Sequence, residues 1–103
     1  MKVHNKLVRD KIPEIIEQSG KTCVAHVLSN EEYITELDKK LQEEATEYLQ
    51  DKNIEEMADL LEVLYAICTA RGYTLEELES VRKKKAEERG GFAHKIFLEY
   101  VKE

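Results

Sequence analysis

Apolar residues recur at helical spacing through most of the chain. Ile34, Leu37, Leu41, Ala45 and Tyr48 form one stripe, and Leu60, Val63, Leu64, Ile67 and Cys68 form a second. Breakers separate the segments at Gly20, Ser29-Asn30, residues 51–53, Gly72 and Gly90-Gly91. A small polar residue stands three positions before a glutamate at Ser29/Glu32, Asn53/Glu56 and Thr74/Glu77, the arrangement in which a side chain satisfies the free N–H groups at a helix start. The pattern predicts three long helices, the last over residues 75–89. A short helix over residues 13–18 precedes them, with Pro13 in its first turn and Gly20 beyond its end.

Only a few residues, around 51–53, connect the first two long helices, so an antiparallel hairpin is expected. Residues 22–28 (TCVAHVL) are β-branched and small apolar in character and read as a short strand. A strand needs a neighbour, which residues 95–101 or the same strand of a second copy would supply. The expected fold is all-α: four helices with minor short β segments, in a single domain over residues 1–103.

Composition narrows the function classes. The chain has 103 residues, 37% of them charged, with one Pro and four Gly, as expected of a soluble helical protein. A chain this short buries a modest core as a monomer, which favours a homo-oligomer. The net charge of -6 argues against nucleic-acid polymers as partners, since backbone binding needs clustered Lys and Arg. A small phosphorylated ligand needs only a few local cations. Cys23 and Cys68 form no CxxC pair and suggest reduced thiols rather than a zinc site or a disulfide framework. With no signal-peptide core and no apolar run of about 20 residues, no membrane association is expected and the location read from the sequence is cytoplasmic.

Candidate chemistry appears when the acids are set on the helical wheel at about 100° per residue. Tyr33, Leu37, Leu41 and Tyr48 fall within about 60° of Glu44, which places that carboxylate inside the apolar stripe. Glu47 lies about 60° away on the stripe's edge, and Glu43, about 100° off, faces more toward solvent. On the next helix Leu60, Val63 and Ile67 lie within about 40° of Glu56, with Asp59 about 60° to the side. Each helix therefore puts an i, i+3 acid pair into a face that ought to be core.

Carboxylates converging between packed helices repel one another and resist dehydration, and a divalent cation resolves the conflict. Oxygen-only ligands favour magnesium, with manganese or calcium as alternatives. A carboxylate-bridged iron pair would add an ExxH motif, and neither helix contains His. A single ExxE is commonplace on solvated helices, and Glu56 has a structural role open to it in a capping box with Asn53. Two such pairs on adjacent helices, both interrupting an apolar face, point instead to a metal site formed by Glu44, Glu47, Glu56 and Asp59.

The sequence EATE (Glu44 to Glu47) followed by EMAD (Glu56 to Asp59) resembles the ExxE…ExxD motif of the MazG-like all-α nucleotide pyrophosphohydrolases, a superfamily that includes phosphoribosyl-ATP pyrophosphohydrolases and dimeric dUTPases. NKLVRDKIPEII near the start and KAEERGGF at residues 85–92 also resemble small stand-alone members, so the likeness covers nearly the whole chain. The gap between the two acidic motifs is shorter than in many relatives. The resemblance implies a MazG-like helical bundle and magnesium-dependent hydrolysis of a nucleoside triphosphate or phosphoribosyl-ATP-like substrate between the α and β phosphates. It also implies a dimer or tetramer. Glu47 or Glu43 would take the proton of the attacking water.

By the same resemblance Lys85 and Arg89, at i, i+4 before Gly90-Gly91, are first candidates for phosphate contacts. Lys6 and Arg9 have two readings, phosphate contacts or salt bridges to the acidic helices. His4, His26 and His94 are dispersed and read as packing or surface residues, and Tyr33 and Tyr48 read as core or as a base-stacking edge. Two competing functions remain: a noncatalytic helical module whose acidic groove binds a basic partner, and a metabolite sensor that keeps the fold without turnover.

Overall fold

A computed structural model describes residues 1–102. Four helices follow one another: α1 (Ile12–Gln18), α2 (Asn30–Asp51), α3 (Ile54–Ala70) and α4 (Leu75–Arg89). All three long helices begin at the capping residues read from the sequence. The Ser29 hydroxyl accepts from the Glu32 N–H and the Glu32 carboxylate accepts from the Ser29 N–H, a complete capping box. Asn53 Oδ1 accepts from the Glu56 N–H at 2.9 Å, and Thr74 Oγ1 accepts from the Glu77 N–H at 3.0 Å. Each cap satisfies an N–H that would otherwise lack a partner, worth about 1 kcal/mol.

The hairpin forms as expected, and α2 against α3 is the main packing of the chain. Lys52 ends α2 in the left-handed conformation (φ 53°), its N–H donating to the Tyr48 carbonyl at 2.7 Å, and Asn53 starts α3 at once. Leu37 on α2 and Val63 and Cys68 on α3 are the buried apolar residues. At the other end of the hairpin Arg71 reaches Asp38 at 3.4 Å. Gly72 (φ 88°) then turns the chain, and the Cys68 thiol donates to the Thr74 carbonyl at 3.3 Å to seat the start of α4. Beyond that start α4 is mostly polar and buries nothing fully, and the one helix it packs against is α3.

The structure corrects the β segments. Among the described residues there is no strand: residues 21–29 and 95–102 carry no regular structure. Val24 and Val27 are fully exposed, as are most side chains of Ile96 and Phe97. A strand gains its hydrogen bonds from a neighbour, and within one chain neither segment finds the other. The short helix begins at Ile12, one residue before Pro13, and makes no helix-to-helix packing with α2, α3 or α4.

The apolar stripe of α3 is wider than one neighbour can cover. Leu64, assigned to the core by spacing, is 41% exposed, and Met57 and Leu61 beside it are also open. With Tyr48 and Leu60 they line an apolar hollow on the outer side of the hairpin. The chain as a whole exposes 9711 Å², against about 6000 Å² for a compact monomer of its mass. Its radius of gyration is 18.3 Å, where about 13 Å would be expected of a compact domain.

Candidate functional site

The acid pairs meet across the hairpin. The wheel placed Glu44 inside the α2 stripe, and it is buried, 7% exposed. Glu56 and Asp59 face it from the first two turns of α3, and one carboxylate oxygen from each of Glu44, Glu56 and Asp59 lies within 4.8 Å of the others. A second group of the same closeness joins Glu44 to Glu43 and Glu47. Glu44 thus sits at the junction of two carboxylate triads. Glu43 is nearer to this cluster than the wheel suggests, because Lys6 and Lys40 hold its side chain at 3.1 and 3.4 Å.

The Glu56 carboxylate is free for this role. Its backbone N–H is capped by Asn53, but its side chain does not return to the cap as that of Glu32 does. Instead Glu56 Oε2 is buried with no hydrogen-bond partner, and so is Glu44 Oε2. Buried oxygens without a donor are uncommon and costly, all the more so on acids.

Burial and neighbouring charge together set the direction in which each of these carboxyls moves. Burial pushes the Glu44 carboxyl above its ordinary value, the neighbouring Glu47 and Asp59 push in the same direction, and Lys40 alone opposes them. Burial likewise raises Glu56, together with the negative charges of Glu47, Asp51 and Asp59. Glu43 behaves differently: burial opposes its ionisation, but the ammonium groups of Lys6 and Lys40 outweigh that and hold its carboxyl below the ordinary value.

Three cations touch the cluster. Lys40 contacts Glu44 at 3.5 Å as well as Glu43, Lys6 contacts Glu43, and Arg9 Nη2 donates to Asp59 Oδ1 at 2.7 Å. Against the five carboxylates of Glu43, Glu44, Glu47, Glu56 and Asp59 they leave two negative charges uncompensated when all are ionised. That deficit equals the charge of one divalent cation. The oxygens of each triad lie within 4.8 Å of one another, a spacing on the scale at which carboxylates share one divalent ion. The donor set is all oxygen, and His4, His26 and His94 are exposed and apart from it.

Of the two readings of Lys6 and Arg9, the chain by itself displays the ion pairs to the acidic helices. Lys85 and Arg89 are not brought to the carboxylates: they are exposed on the last two turns of α4, which has no contact with α2. Lys40 is the residue the sequence reading missed. It lies four residues before Glu44, about 40° from it on the same wheel, and that spacing was sufficient to find it.

No family model and no solved structure matches the chain. It is similar to a protein of Mycolicibacterium smegmatis described only as uncharacterized, with 55% identity over 42 residues. That match covers 41% of this chain and 43% of the relative. Among the described residues no helix is long and apolar enough to cross a membrane.

Proposed function

We propose that the protein is a magnesium-dependent nucleotide pyrophosphohydrolase with a MazG-like helical bundle, cleaving a nucleoside triphosphate or a phosphoribosyl-ATP-like substrate between the α and β phosphates. The observation that carries this reading is Glu44, an acid 7% exposed, with one oxygen unpartnered at the junction of two carboxylate triads. The EATE and EMAD motifs supply two acids each to that junction and add the support of their resemblance.

Glu44, Glu56 and Asp59 would hold the ion, with Glu47 at their flank, and manganese would serve in place of magnesium. Bound there, the ion supplies Lewis-acid neutralisation of the phosphate oxygens. Glu47 is the better acceptor for the proton of the attacking water, because the Glu43 carboxylate is already engaged by two ammonium groups and is the weaker base for it. Lys40 anchors Glu43 and Glu44 and so positions the α2 side of the site. A free nucleotide substrate and the free thiols of Cys23 and Cys68 agree with a cytoplasmic location.

A second copy of the chain is part of the proposal. The exposed area exceeds that of a compact monomer by about 3700 Å², part of it in the irregular segments and part on α3, and an obligate interface buries roughly 1000–2500 Å² on each partner. The outer face of α3 is the natural contact, and the partner's α4 would bring Lys85 and Arg89 to the phosphates. Whether two or four chains assemble follows from how that face is shared.

The test is incubation of a panel of nucleoside triphosphates with the protein, with and without magnesium, each reaction then being quenched and its pyrophosphate converted to phosphate by inorganic pyrophosphatase in excess magnesium. Magnesium-dependent release of pyrophosphate from at least one of them is expected. No release from any nucleotide, with magnesium still bound, would favour the sensor reading. No magnesium binding would favour the acidic interaction module.

A further inference from the structure

The first 28 residues are joined to the hairpin by two ion pairs, Lys6 to Glu43 and Arg9 to Asp59, and among the described residues these are the only hydrogen bonds or ion pairs that do so. They are not equivalent. Lys6 holds an acid outside the Glu44, Glu56 and Asp59 triad, whereas Arg9 holds a member of it. Both partners of the Arg9 pair keep substantial exposure, 56% and 40%, so the guanidinium can leave for water without stranding a buried charge.

We infer that Arg9 is an exchangeable counter-ion of the metal site: it neutralises Asp59 while the triad is empty, is displaced when a divalent cation binds, and then receives the substrate's phosphates. This rests on the metal-dependent reading above and specifies the role of one residue in it. A divalent ion on either oxygen of Asp59 places two positive groups on one carboxylate, and the more exposed partner gives way. The unpartnered buried oxygen of Glu44 is the independent sign that the triad lacks a ligand of its own. Once released, Arg9 remains within reach, because Lys6 keeps its hold on Glu43 three residues away. A guanidinium is always charged and presents a planar fork of donors that matches two phosphate oxygens. The same side chain thus opposes metal and favours the metal–nucleotide complex.

Opposite signs make this testable. Calorimetric titration with manganese chloride, and separately with α,β-methylene-ATP in saturating manganese, compares the full-length protein with Arg9→Gln and Arg9→Lys. Arg9→Gln should bind manganese about two- to fivefold more tightly, the range set by losing one exposed ion pair. It should bind the nucleotide analogue at least about fivefold more weakly, and Arg9→Lys should fall between Arg9→Gln and the unmodified protein in both titrations. Manganese affinity unchanged or weakened in Arg9→Gln, with the unmodified protein binding the metal normally, would overturn the exchange and leave the metal site standing. Manganese binding to none of the three would overturn the metal site itself, and the exchange with it.

Discussion

The inner and outer faces of the hairpin break the same rule in opposite directions. On the inner face, where α2 meets α3, an acid is buried and has too few partners. On the outer face of α3, Met57, Leu61 and Leu64 are apolar and meet water. Folding alone rewards neither arrangement, since burying a carboxylate oxygen without a partner and hydrating leucines both cost free energy. Each face is unfinished in a way that defines what would complete it. The inner face lacks positive charge in a small polar space, and the outer face lacks apolar area over an extended surface. The first deficit is the size of an ion and the second is the size of another helix pair.

The largest effect should come from the inner face. Asp59→Asn removes a charged ligand and the partner of Arg9 while leaving the cap of α3 untouched. It is expected to lower magnesium-dependent turnover by at least about a hundredfold, with helical circular dichroism unchanged. Activity close to that of the unmodified protein would remove Asp59 from the site.

The outer face should respond in assembly rather than in chemistry. Leu61→Glu places a charge in the hollow lined by Tyr48, Met57, Leu60 and Leu64. It is expected to weaken self-association by about 2 kcal/mol or more, seen in sedimentation as a shift toward single chains. A protein that sediments as one chain before the substitution at micromolar concentration would break the comparison at its outer half.

These two faces were not equally legible. The acid pairs of α2 and α3 stood out because they interrupted a period of 3.6, and the wheel put Glu44 where it is buried. The helix starts were legible because Ser29, Asn53 and Thr74 cap by local chemistry that needs no tertiary partner. The strand reading of residues 22–28 failed for the complementary reason: β-branched composition states a preference, and only a neighbouring strand can satisfy it. The exposure of Leu64 was hidden too, because α3 is apolar over more of its circumference than α2 can cover and spacing alone does not say which part remains open. Lys40 was legible in principle, since a cation one turn before Glu44 lies on the same face of α2 and within reach of its carboxylate.

A smaller effect sharpens the inner half by its sign. Glu44 and Glu56 have folded-state values raised above the ordinary 4.5, so the folded protein holds protons that the unfolded chain has already released. Their contribution is fully present below that value and is lost as pH rises through the raised range. The metal-free protein should therefore gain stability as pH falls from neutral toward 4.5, and Glu44→Gln should flatten that gain. Glu43, with its lowered value, acts in the opposite direction, its contribution being lost only as pH falls below the same 4.5. Thermal melts across this range check the sign, and a melting temperature falling steadily from pH 7 to pH 5 would contradict it.

Magnesium-dependent melting of the unmodified protein tests the central claim most directly. An ion that binds the assembled carboxylates and not the unfolded chain adds about 2.7 kcal/mol at a hundred times its dissociation constant, which for a chain of this length raises the midpoint by roughly 10–20 °C. Asp59→Asn and Glu56→Gln should lose most of that shift, although Gln at position 56 leaves the backbone bond to Asn53 in place. A midpoint indifferent to millimolar magnesium in the unmodified protein would contradict the account, and would leave the buried Glu44 as an acid with no ion to hold.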